Sequence, residues 1–143
     1  MKSIKYFSIL VIATTLFSCE AIKKGSNTTG GLFSLNGQWE LFSNSPENTL
    51  LGSRLYVAPV ISEGRFTTLV NNTQCFRETD IKWKNITAES NGGFTLNNLL
   101  SNCNAGGLNY QPATIYVVNN NEVRLNGKNV AGIENVQVWR RIK

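Results

Sequence analysis

Between Leu35 and Ile142 apolar and polar residues alternate in short runs, and no run sustains a helical period. Alternation places every second side chain on the same face, so each run predicts a strand with one buried side. The predicted strands are Gly37 to Ser43, Ser53 to Ile61, Arg65 to Val70, Gln74 to Ala88 with a bend near Asn85, Phe94 to Leu100, Ala113 to Val118, Glu122 to Asn126 and Asn135 to Ile142. Asn44 to Asn48, Ser62-Glu63-Gly64, Asn71-Asn72-Thr73, Asn91-Gly92-Gly93 and Asn119-Asn120-Asn121 supply turns between them, because Asn and Gly tolerate positive φ. Such short connections join antiparallel neighbours and cannot make parallel crossovers. A sheet of about eight strands removes its exposed edges by closing. The pattern therefore predicts an all-β fold, an antiparallel up-and-down barrel of about eight strands, with a two-sheet β-sandwich as the alternative.

Parity along each strand then assigns the faces. With Trp39 and Leu41 inward on the first strand, the apolar residues of the last strand place Val136, Val138 and Arg140 inward, with Trp139 and Arg141 outward. On the long fourth strand, Glu78, Asp80, Lys82 and Lys84 fall on one face, which reads as a solvated surface of mixed charge. Cys75, Arg77, Thr79, Ile81 and Trp83 are then inward. An inward Arg77 needs a carboxylate, a water-filled cavity or an anionic ligand, unless it lies near the strand end and reaches solvent. Arg77, Trp83 and Tyr56 are the candidate ligand-binding residues on this reading. In Phe94 to Leu100, the polar Asn98 shares its face with Phe94, Leu96 and Leu100.

The N-terminal part has a different character. Lys2 and Lys5 precede an apolar stretch, Tyr6 to Phe17, that is too short to span a hydrocarbon core needing about twenty residues. Residues 1–18 read as a signal peptide. Leu16-Phe17-Ser18-Cys19 resembles the bacterial lipobox, and the resemblance implies that Cys19 becomes the acylated first residue of the mature chain. Residues 19–34 hold little to bury and read as a flexible tether with a reach of roughly 20 Å, leaving 35–143 as the barrel domain. Export through an oxidising compartment leaves Cys75 and Cys103 as a cysteine pair, expected to form a disulfide, with two buried free thiols as the alternative.

Gly37-Gln38-Trp39 on the first strand, with Arg140 on the last, resembles the lipocalin and wider calycin families. In those families an arginine lies across the tryptophan at the closed end of the barrel. The resemblance implies a lipocalin-like fold with Gly37, Trp39 and Arg140 as structural closure, and an interior that binds a small apolar or amphipathic molecule. The alternative is a filled β-domain that binds a protein or glycan partner through its surface, as an envelope assembly factor or hydrolase inhibitor would.

Composition narrows the chemistry. The chain of 143 residues contains no histidine, which removes His-based nucleophilic triads, His general bases and HExxH zinc sites. Two cysteines without histidine do not complete a usual zinc shell, so no metal site and no cofactor are expected. Glu78 and Asp80 have the spacing of an acid/base pair, but their neighbours Lys82 and Lys84 make a solvated face the simpler account, and no catalytic residue is assigned. The expected protein is not an enzyme. The formal charge is +5, of which Lys2 and Lys5 of the signal contribute two, and no basic run interleaves with aromatics as in a nucleic-acid groove. The expected partners are a membrane, through Cys19, and a small hydrophobic or anionic ligand. A monomer is expected, lipid-anchored in the bacterial cell envelope, facing the periplasm or the cell surface.

Overall fold

The computed structural model describes residues 33–58, 61–103 and 107–142; the signal segment, Cys19 and most of the tether lie outside them. Eight strands follow in order: β1 (Gly37–Ser45), β2 (Arg54–Ala58), β3 (Glu63–Thr68), β4 (Ile81–Ala88), β5 (Phe94–Ser101), β6 (Asn109–Asn119), β7 (Glu122–Lys128) and β8 (Glu134–Ile142). Each pairs antiparallel with its sequence neighbour, and β1 pairs with β8, so the sheet is a closed barrel. The all-β closed barrel predicted from alternation is the observed architecture, compatible with a lipocalin-like fold.

Closure gives the barrel two different ends. At one end the connections are tight: β4–β5 turns through Asn91-Gly92-Gly93, where Gly92 has φ 91° and the Glu89 amide donates to the Gly93 carbonyl at 2.9 Å. At the other end lie the longer loops after β1, β3 and β5 and the β7–β8 hairpin. Cys75 and Cys103 are joined by a disulfide that ties the β3–β4 loop to the β5–β6 loop at this end. The bridge spans a sequence separation of 28, for which chain entropy gives roughly 3 to 4 kcal/mol. The double substitution Cys75→Ser with Cys103→Ser should lower the unfolding free energy by about that amount in urea titrations. A loss below about 1 kcal/mol would mean that the two loops are held without it.

Trp39, Trp83 and Trp139 are fully buried and fill the barrel interior with Phe66 and Phe94. Trp83 and Trp139 meet edge to face, centroids 5.2 Å apart, an arrangement the ring quadrupoles favour. Burial of each large apolar side chain contributes about 1.5 to 3 kcal/mol, so this cluster supplies much of the driving force for closure. Gly64 on β3 faces Trp83 on β4, and a Cβ there would stand 3.2 Å from the indole. Phe33 belongs to the core as well, its ring 6.3 Å from Trp39 and 6.0 Å from Phe94. The folded domain therefore includes Phe33 and Ser34, two residues assigned to the tether on composition alone, and the chain enters the barrel at its tightly turned end.

At that end the closing arginine is Arg141, not Arg140. Trp39 is in register with Arg141, and the guanidinium lies 4.3 Å from the Trp39 ring centroid. Its Nη1 donates to the Asn36 carbonyl, its Nη2 to the Ser34 carbonyl and its Nε to the Asn120 carbonyl at 2.9 Å. Gly37 makes this approach possible: its φ is 118°, and a Cβ there would sit 3.1 Å from Nη1. Arg140 instead points outward, pairing with Glu122 at 3.0 Å and covering the exposed ring of Phe42. Trp139 is inward, together with Asn135 and Gln137, whereas Val136 and Val138 are only partly buried. The parity predicted for β8 is thus off by one residue. Two inward amides took the places that alternation reserves for apolar side chains.

The predicted strand from Gln74 to Ala88 is also shorter. Its first part is a loop with positive φ at Cys75 and Thr79, and β4 begins only at Ile81. Left-handed residues interrupt the two-residue period, so faces assigned before Ile81 do not carry over. The second strand is similarly trimmed to Arg54–Ala58, with Leu55 and Val57 inward and Tyr56 outward.

Candidate functional site

The loop-bearing end of the barrel holds a cleft lined mostly by polar side chains that sequence parity did not bring together, with Leu50 and Leu100 beside them. Lys82 of β4 and Asn98 of β5 approach it from one side, Asn44 of β1 with Asn135 and Gln137 of β8 from the other. Gln74 and Phe76 of the β3–β4 loop border it, and Glu47, Lys128 and Val130 stand at its rim. The cleft is narrow. Its empty space is ≈ 280 Å³ including the part open to solvent, and room for water centres is ≈ 10 Å³, about one molecule.

Lys82 is its most unusual member. Read from sequence as outward with Glu78, Asp80 and Lys84, it is 2% exposed and adjacent to the fully buried Trp83. The irregular register between β3 and β4 places two consecutive side chains inside. The ammonium donates to the Leu99 carbonyl and lies 4.9 Å from the Phe76 ring centroid and 5.9 Å from that of Phe66. Among the described residues no carboxylate lies within ion-pair distance of it. Burial pushes its pKa down from 10.5 to about 7, opposed by the negative charge of Glu47, which raises it. The group therefore titrates near neutral pH.

Around it the amides are incompletely paired. Asn44 Oδ1, Gln74 Oε1, Asn98 Oδ1 and Asn135 Nδ2 are buried without hydrogen-bond partners. The orientation of Asn44 is fixed, because its Nδ2 donates at 3.0 Å to the Thr49 carbonyl, which only accepts. Each unpaired buried group costs about 1 to 3 kcal/mol relative to a satisfied one, so the cleft is a place where a polar molecule gains hydrogen bonds.

The residues predicted to bind ligand are elsewhere. Arg77 lies exposed in the β3–β4 loop and is not inward; the adjoining turn is capped by Asp80 Oδ2, which accepts from the Arg77 amide and from Asn102 Nδ2, both at 2.9 Å. Tyr56 is 45% exposed on the outer wall, displaced from the interior by the parity of β2. Trp83 is inward as expected, but it packs against Trp139 in the core and not in the cleft. Glu78 is exposed in the same loop as Arg77. One sequence signal does fall in the cleft: Asn98 shares the otherwise apolar face of β5, and it lines the cleft together with Leu100.

In comparisons with protein families, curated proteins and solved structures, nothing matches this chain.

Proposed function

We propose that this chain is a lipid-anchored lipoprotein of the bacterial cell envelope whose lipocalin-like barrel binds a small polar molecule at its open end. The observation that carries the reading is Lys82, a buried cation without a carboxylate partner among the described residues, set among unpaired amides. Buried charges are ordinarily paired, and a ligand with negative charge supplies the partner that this one lacks. The small apolar or amphipathic ligand implied by the resemblance fits less well, because indole and phenyl rings fill the barrel interior where such a molecule would lie. The chain enters at the end opposite the cleft, so an anchor at Cys19 leaves the mouth free to draw its ligand from the aqueous side.

Native mass spectrometry of the protein, gently extracted from its own cells with detergent, tests both parts. The expected spectrum carries the mass of a diacyl- or triacyl-modified Cys19 and a small adduct that is absent from Lys82→Met. Release by salt alone would remove the anchor, and an identical bare mass for parent and variant would remove the ligand.

A second reading, a surface that binds a protein or glycan, is favoured by a different observation. The open-end loops expose Val70, Leu108, Val130 and Ile133, and Phe42 and Arg140 form an aromatic-arginine pair on the outer wall. Crosslinking in intact cells separates the two, since this reading requires a discrete macromolecular adduct through those residues.

A further inference from the structure

The hydrogen-bonding character of the cleft goes further than the presence of a cation, and the inference rests on the ligand reading just proposed. We propose that the cleft takes a small hydroxylated carboxylate, its carboxylate on Lys82 and its hydroxyl groups on the amides of Asn44, Asn98 and Asn135. Lys82 spends one hydrogen bond on the Leu99 carbonyl, and an ammonium has three to give. A carboxylate accepts the remaining protons in charge-assisted bonds.

A plain carboxylate has no donor, however, and would leave Asn44 Oδ1, Gln74 Oε1 and Asn98 Oδ1 unpaired. A hydroxyl both donates and accepts. It complements the fixed oxygen of Asn44 and also Asn98 or Asn135 in either amide orientation, so the inference does not depend on how those two amides are turned. Water offers the same two functions, but one ordered molecule makes about three hydrogen bonds. The cleft holds four unpaired amide atoms besides the ammonium, and its innermost space admits about one water. A ligand that joins the anion and the hydroxyls in one molecule satisfies them together.

Size limits the class. The cleft as it stands has room for about one water, and its ≈ 280 Å³ of empty space is partly solvent at the mouth, so even a three-carbon ligand reaches Lys82 only when rim side chains move aside, and a whole sugar is too large. Entry displaces the rim side chains Lys128 and Val130, which are exposed on the β7–β8 hairpin and its flank. Lys128 brings a second cation to the lining of the cleft and Glu47 an anion.

The test is calorimetric titration of the detergent-solubilised full chain with glycerate, propionate and glycerol at pH 6.5. Glycerate should bind about tenfold or more tightly than either of the others, because each lacks one of the two functions. Lys82→Met should weaken glycerate by at least about tenfold, and Asn98→Leu should narrow the advantage of glycerate over propionate. Equal binding of propionate and glycerate overturns the hydroxyl contacts, and equal binding of glycerol overturns the anion. Undiminished binding by Lys82→Met overturns the site. If none of the three probes binds but an adduct dependent on Lys82 survives in the native mass spectrum, the ligand class is wrong while the ligand-binding reading stands. If neither is seen, both fall.

Discussion

Arg141→Ala will lower the unfolding free energy by about 3 kcal/mol, and Arg140→Ala by less than about 1 kcal/mol. The two arginines are neighbours in sequence with opposite environments. Arg141 stacks on Trp39 and donates from three nitrogens to the carbonyls of Ser34, Asn36 and Asn120, joining the entry segment and the β6–β7 hairpin to the last strand. Truncation removes a cation-π contact worth about 1 to 2 kcal/mol when desolvated and leaves part-buried acceptors unpaired, about 1 to 3 kcal/mol more, with incomplete additivity. Burial lowers the pKa of Arg141, yet a guanidinium stays charged in a protein, so these contacts persist across the accessible pH range. Arg140 forms a surface pair with Glu122, its side chain about half exposed, and such pairs contribute between about 0 and 1 kcal/mol. Urea unfolding of both variants with unchanged slope measures the difference. Equal midpoints would mean that the Trp39 stack contributes nothing to closure. Arg141→Lys should fall between, since an ammonium keeps the charge but cannot fork to two carbonyls.

The architecture was legible because it rests on features that alternation reports well. Short runs, Asn- and Gly-rich turns and the Gly37-Gln38-Trp39 start required only that most strands have one buried side, and the disulfide required only the cysteine count. The positions that carry the candidate site were hidden by the same rule. β8 buries Asn135 and Gln137 and leaves its valines only partly buried, because Gln137 Oε1 accepts from the Trp139 indole at 3.1 Å and Asn135 faces the cleft. A pattern that scores amides as outward must slip such a strand by one residue, and that slip exchanged Arg141 for Arg140.

Lys82 was hidden differently. Alternation was carried from Cys75 through a segment where Cys75 and Thr79 hold positive φ, and across a register irregularity where β4 meets β3. Either break is enough to lose count. A lysine between Ile81 and Trp83 carries no mark in the sequence to say which face it takes, whereas Asn98 on the apolar face of β5 did mark the barrel's polar end. Local composition could not reveal that β1, β4, β5 and β8 bring their polar exceptions to one place. That follows from closure.

The largest effect should come from the residue that parity misplaced. Lys82→Met will stabilise the protein at pH 6 by about 1 to 4 kcal/mol, and the gain will shrink as pH rises. In the unfolded chain this lysine titrates at its ordinary value of 10.5, and in the folded chain burial brings it to about 7. Between those values the unfolded state holds a proton that the folded state has lost, so the parent gains stability as pH climbs from about 7 toward 10.5. Below pH 7 both states are protonated and the destabilisation is constant. At roughly 1.4 kcal/mol per unit the window corresponds to at most about 5 kcal/mol, and the lost bond to the Leu99 carbonyl offsets about 1 kcal/mol of what methionine gains. Methionine has a similar length, no charge, and good contacts with the Phe66 and Phe76 rings that now flank the ammonium. Unfolding of parent and variant in urea at pH 6, 8 and 10 isolates the effect, because every other titrating group is shared and cancels in the difference. A gain independent of pH would place the Lys82 titration outside this window. A loss at pH 6 would show that the folded protein satisfies the charge, with Glu47, whose charge already favours the ammonium, as the candidate, and the cleft would then have no unmet anion site to offer a ligand.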